Sequence, residues 1–227
     1  MILTAFTAEN GLCSGWFRPG KKDRSFSQQG ALLQLKWRAR LRQNLGSFQT
    51  EFMMNPLLPF LNDPLRLGAG ASFCDLLALL LPEGHPYPQL WDALIRFFKR
   101  ISTTNWLIHY IRLELVLLKE MGFGLSLDKC AVSGVTTGLT HVSPRTGRAV
   151  CFDVAAPYTD KLLFLPSFLT GGSDAQQKDH YPCEELLQGL ALTGYFLQYA
   201  CARQCEKGLP EGRARFIRFV EKWHEKT

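Results

Sequence analysis

A chain of 227 residues, 46% of them hydrophobic and 20% charged, holds enough apolar material for one large domain or two small ones with cores of their own, which excludes a disordered or low-complexity protein. Its longest apolar runs, such as Leu76 to Leu81, stop far short of the roughly 18 to 20 residues of a membrane span. The net charge of +6 is contained in the first fifty residues, where Arg18, Lys21, Lys22, Arg24, Lys36, Arg38, Arg40 and Arg42 face only Glu9 and Asp23, an asymmetry that points to a polyanion, with nucleic acid as first candidate.

From Met1 to about Phe52 the apolar pattern is short and alternating, broken by turn material at Glu9-Asn10-Gly11, Arg18-Pro19-Gly20 and Gln28-Gln29-Gly30, so this part is predicted to be all-β. Its clearest piece is a strand from Leu33 to Arg42. Side chains alternate along a strand, so Leu35, Trp37, Ala39 and Leu41 take one face and Lys36, Arg38, Arg40 and Arg42 the other. A second strand, Phe48 to Phe52, follows the turn at Asn44-Leu45-Gly46. By parity Trp37 packs in the core rather than serving as a stacking platform. The four cations could be a solvated face that guards a sheet edge against aggregation. Together with the Lys21-Lys22-x-Arg24 loop, however, four same-sign outward positions exceed what that needs, and nucleic-acid binding is the preferred reading.

After Asn55-Pro56 the spacing turns helical. Helices are predicted over Leu65 to Leu81, Pro88 to Ile101 and Thr104 to Met121. The third is apolar almost all round and reads as the central helix of a bundle, stopped by Gly122-Phe123-Gly124. Residues 125 to 160 read as irregular, and two more helices close the chain, Cys183 to Cys205 and Glu211 to Glu225. The domain boundary is therefore expected near residue 54, with domains 1–54 and 55–227 and an irregular insertion at about 126–160.

Cys130 and Cys151 flank that insertion, but Ser133 and Val154 stand where their C-x-x-C mates would be, so zinc is not expected. Seven cysteines scattered from Cys13 to Cys205 do not read as a disulfide framework, and the N-terminus lacks a signal-peptide pattern, so a soluble protein of a reducing cytosol is expected. No phosphate loop, nucleophile elbow, H-E-x-x-H or complete dinucleotide fingerprint occurs. The carboxylates Glu114 and Glu120 read as ordinary helix-surface residues, and no catalytic residue or small-molecule substrate is expected. Arg112, in the middle of the most apolar helix, must either pair with an acid of another helix or meet a carboxylate of a partner peptide.

The run Tyr110-Ile111-Arg112-Leu113-Glu114-Leu115 through Leu117-Leu118-Lys119-Glu120-Met121-Gly122-Phe123-Gly124, followed by Leu127-Asp128-x-Cys130, resembles the RecO family of bacterial recombination mediators. Similarity extends to Thr4-Ala5-Phe6-Thr7-Ala8-Glu9-Asn10-Gly11 with Arg18-Pro19-Gly20-Lys21-Lys22, and to His141-Val142-Ser143-Pro144 with Gly147-Arg148. The resemblance implies an α+β protein of two domains: an N-terminal OB-fold barrel that binds DNA, then a helical domain with a zinc-ribbon-like insertion. Here only two of that insertion's four zinc cysteines remain. It implies a cytoplasmic, nucleoid-associated protein that binds single- and double-stranded DNA, anneals complementary strands, and binds the acidic tail of single-stranded DNA-binding protein. It further implies a partnership with RecR in loading RecA in the RecF pathway. Arg18, Lys21, Lys22, Arg24, Lys36, Arg38, Arg40 and Arg42 would be the DNA-contacting set, and Arg112 a candidate for the acidic tail. The family usually begins one strand earlier, so the first strand of the barrel is expected to be missing here. The rival reading is a protein-interaction adaptor whose basic sheet meets an acidic protein.

Overall fold

The computed structural model describes residues 1–18, 28–39, 45–170 and 181–225. Its architecture is α+β, with two sheets and six α-helices among those residues. Strands β1 (Ile2–Thr7) and β2 (Gly11–Trp16) form an antiparallel hairpin. The tight reversal between them needs Gly11, which sits at φ +63°. Strands β3 (Leu32–Arg38) and β4 (Gly46–Met54) form a second antiparallel pair, and a short parallel step joins the pairs through Gly15 opposite Gly46 and Trp16 opposite Ser47. The order is β1-β2-β4-β3, which leaves β1 and β3 as edges.

Two sequence expectations shift here. Strand β3 starts one residue early, at Leu32, and is described as far as Arg38, while Arg40 and Arg42 of the expected run lie outside the described residues; β4 starts two residues before Phe48 because Gly46 is a strand residue rather than a turn residue. A side chain at Gly46 would lie 2.3 Å from the Trp37 indole nitrogen, so the missing Cβ makes room for the ring. Trp37 shares a face with buried Phe48, as its parity requires, but it is 44% exposed instead of core-packed. Its strand is an edge, and nothing on the sheet flanks it there.

Strands give way to helices after Met54, and the chain packs as two compact units, Met1–Lys99 with Pro210–Phe219 and Arg100–Leu209 with Val220–Thr227. In the first unit, α1 (Pro64–Leu80) starts where Asp63 accepts from the backbone N–H groups of Leu65 and Arg66 at 3.0 and 3.2 Å, with proline in the first turn. It ends before Pro82. Gly68 gives its face to Phe216 and Phe219, and Gly70 to Leu57. Helix α2 (Pro88–Arg100) buries Leu90, Leu94 and Phe97, and its Trp91 meets Phe6 of β1 at 5.9 Å between ring centroids.

In the second unit, α3 (Trp106–Glu120) is buried on nearly every side, including Ile108, Tyr110, Ile111, Leu113 and Leu117, and packs on α5 (Cys183–Gln204). Gly122, at φ +83°, ends it, and the Phe123 N–H returns to the Leu118 carbonyl at 2.8 Å. Glu114 is not a surface residue: it is fully buried and accepts from the Thr193 hydroxyl of α5. A helix enclosed by others has no surface for it, so a side-chain partner takes the place of water. The stretch expected to be irregular contains β5 (Leu139–Val142), β6 (Ala149–Cys151) and the short α4 (Phe152–Ala155), and β7 (Leu163–Phe164) completes a sheet of order β6-β5-β7. The turn signals at Ser143 to Gly147 close the β5–β6 hairpin, where Gly147 N–H donates to the Ser143 carbonyl at 2.8 Å. Strands of two to four residues are too short to announce a period. Helix α6 (Glu211–His224) ends the described chain.

Candidate nucleic-acid interface

The site starts from the pleat. Residues opposite each other on neighbouring strands share a face, so the register places Arg38 beside Ser47 and Lys36 beside Gln49, with Trp16 of β2 beside Ser47 on its other side and Ile2 of β1 beyond. All six are exposed, whereas Gly46 and Phe48, pointing the other way, are buried. One open face of the sheet thus presents an indole, two cations, a hydroxyl and an amide. At the far end of the hairpin the same parity carries Phe6 onto Trp91 and buries Leu12, so the open part is confined to the end near Trp16 and Arg38.

Among the described residues neither Lys36 nor Arg38 has an acid within ion-pair distance. Among those residues both side chains are exposed, with their charged ends turned to solvent rather than into an ion pair. The carboxylates of this face lie at its margins: Glu51, beside Gln34, one step beyond Gln49, and Glu83, which accepts from the Ser14 hydroxyl. Arg18 is exposed two residues after Trp16. Lys21, Lys22, Arg24, Arg40 and Arg42 lie outside the described residues. The structure thus brings together two of the eight sequence candidates, Lys36 and Arg38, and adds Trp16, Ser47 and Gln49, which alternation within β3 could not reveal.

In the second unit, half-buried Arg112 donates from Nη2 to the Phe168 carbonyl at 2.8 Å. Among the described residues its partner is a backbone carbonyl and not an acid of another helix. Burial lowers its pKa; Tyr181 acts in the opposite sense and the Arg100 charge adds to the fall. One turn earlier on α3, His109 Nε2 lies 3.4 Å from Arg100 Nη1. Burial, then the charges of Arg100 and Arg112, push the His109 pKa down to about 4. The ring is therefore neutral at pH 7, and because a guanidinium can only donate, Nε2 accepts and Nδ1 carries the proton. Two guanidinium groups around a neutral imidazole make a place that an added carboxylate would neutralise.

Cys130 and Cys151 are both buried in the β5–β6 segment. The backbone N–H groups of Ser133 and Cys151 donate to Cys130 Sγ at 3.5 and 3.4 Å, and Ser133 Oγ lies 3.4 Å from Cys151 Sγ. Burial raises the Cys130 thiol, but hydrogen bonds from the Ser133 side chain and from backbone N–H groups of Ser133, Cys151 and Val132 outweigh it and bring its pKa to about 6. Two thiols and a hydroxyl do not make up the four-donor nitrogen and sulfur set of a tetrahedral zinc site. Among the described residues no helix is long and apolar enough to cross a membrane.

Comparison with known proteins places these features in context. Residues 61–207 match the family described as Recombination protein O C terminal. The chain is 41% identical to the DNA repair protein RecO of Rhodospirillum centenum over 199 residues, 87% of this chain and 77% of that protein. It is 37% identical to the RecO of Wolbachia pipientis subsp. Culex pipiens over 96% of this chain and 91% of the relative, and 37% identical to that of a Jannaschia species over 97% and 89%.

Proposed function

The chain belongs to the RecO family of DNA repair and recombination proteins, and from that premise we propose that it is a non-catalytic mediator whose open sheet face holds DNA by its phosphates. The observation that carries the reading is the pair Lys36 and Arg38, side by side on an exposed face with no acidic partner among the described residues. Cations spaced about 6 to 7 Å apart along a strand suit successive phosphates, and such contacts read charge rather than sequence. Residues 1–54 are then the DNA-binding domain. The order β1-β2-β4-β3, with its parallel β2–β4 step, supports reading the sheet as four strands of an OB barrel whose fifth would lie between the edges β1 and β3.

In this reading the protein binds single- and double-stranded DNA and anneals complementary single strands. The Arg100, His109 and Arg112 group takes carboxylates of the acidic tail of single-stranded DNA-binding protein, so that coated DNA is delivered for RecA loading together with RecR, in the RecF pathway. The β5–β6 segment is a zinc-ribbon-like insertion that folds without metal, the hydrogen bonds to Cys130 Sγ taking over the role of a central ion. The setting is the bacterial cytoplasm, at the nucleoid. Annealing tests the reading: two complementary oligonucleotides, one end-labelled for energy transfer, are expected to pair several-fold faster with the protein than without it. An unchanged rate would contradict the mediator role and favour an adaptor whose basic sheet meets an acidic protein.

A further inference from the structure

We propose that Trp16 is a stacking platform for one unpaired base, and that it makes this sheet face selective for single-stranded over double-stranded DNA. The inference rests on the nucleic-acid reading of the face and adds what the cations cannot supply. Phosphate contacts do not favour single strands: neutralising a phosphate releases slightly more counterion from a duplex than from a single strand. A preference for single strands therefore needs a group that reads bases freed from pairing. Stacking on an aromatic side chain is worth roughly 5- to 150-fold per base and is available only where a base is unstacked.

Among the described residues of the open part of this face, the geometry meets that need at Trp16. Its indole is 55% exposed, a large apolar surface left in water. The register sets Trp16, Ser47 and Arg38 in one row across β2, β4 and β3, so the indole and the guanidinium stem stand two strand intervals apart, about 10 Å. Ser47, between them, is small and leaves the row open. A strand running along Lys36 and Arg38 by its phosphates can therefore swing a base across Ser47 onto the indole, with the Gln49 amide beside Lys36 in reach of a base edge. A paired base, held inside its duplex, cannot. Exposed Ile2 extends the apolar surface on the outer side of Trp16. Glu51 and Glu83 bound the strip by repelling phosphates from its margins. Trp37, the indole nearest the cations in sequence, lies on the opposite face over Gly46 and cannot share a ligand with them.

The test compares the full chain with Trp16→Ala and Trp16→Phe, using a short oligothymidine, an abasic oligonucleotide with the same number of phosphates, and a duplex, at several salt concentrations. Wild-type protein is expected to bind oligothymidine about tenfold more tightly than the abasic strand. Trp16→Ala should remove that preference while leaving abasic binding, duplex binding and the salt slope unchanged, and Trp16→Phe should retain most of it. Equal wild-type affinity for the oligothymidine and abasic strands overturns the proposal without recourse to any variant, as does an equal loss by Trp16→Ala on all three ligands. If the wild type binds all three equally and alanines at Lys36 and Arg38 abolish that binding, the DNA-binding reading stands and the stacking platform falls. If the wild type binds none of them at low salt, both fall.

Discussion

Alanine at both Lys36 and Arg38 is expected to weaken binding of single- and double-stranded DNA of any sequence by about ten- to a hundredfold at 0.1 M salt, and to flatten the dependence of log affinity on log salt by about 1.5. Each cation that meets a phosphate releases close to one counterion, so two contacts account for the change in slope. The loss should be uniform across sequences because phosphates carry none. Both side chains are exposed and lack an ion-pair partner among the described residues, so the double variant should unfold within about 0.5 kcal/mol of wild type. Fluorescence anisotropy with a labelled oligonucleotide measures affinity and slope together. An unchanged slope would show that these two residues do not meet phosphates.

The largest stability effect is expected at Gly11. A Cβ there would lie 1.7 Å from the His85 carbonyl oxygen, and the residue already sits at φ +63°. Alanine must bear a left-handed backbone, about 1 to 2 kcal/mol, and must also push a backbone segment away, about another 1 to 3 kcal/mol. A cost of about 3 kcal/mol is expected in urea unfolding. Gly84 is the matched control, since it has a similar φ of +74° but nothing within 4 Å of its added Cβ. Gly84→Ala should therefore cost only the backbone part. Equal losses in the two variants would contradict the close approach of the β1–β2 turn to the backbone at His85 and Pro86.

What could be read from the chain divides along local and non-local lines. The helices were legible because their signals are local: helical spacing marks α1 until Pro82 stops it, and Gly122 ends α3. The shared face of Lys36 and Arg38 was legible too, because alternation within one strand requires no partner. Trp16 was not, since its place beside Ser47 depends on a parallel step between strands 31 residues apart in sequence. Parity gave Trp37 its correct face but not its exposure, which follows from β3 being an edge. Glu114 was misplaced for a related reason: its partner Thr193 is 79 residues away, and only the packing of α3 on α5 brings them together. The strands of the β5–β6 segment were hidden by their brevity, although the turn that joins them was visible at Ser143 to Gly147.

The claim on which the rest depends is that DNA lies on the face carrying Lys36. The most direct measurement is the rate of lysine acetylation, read by mass spectrometry, with and without saturating single-stranded oligonucleotide. Lys36 is expected to be protected several-fold, while exposed Lys207 and Lys222 of the second unit react as before. If Lys36 reacts equally fast in bound and free protein, the DNA lies elsewhere and the assignment of the sheet face is wrong.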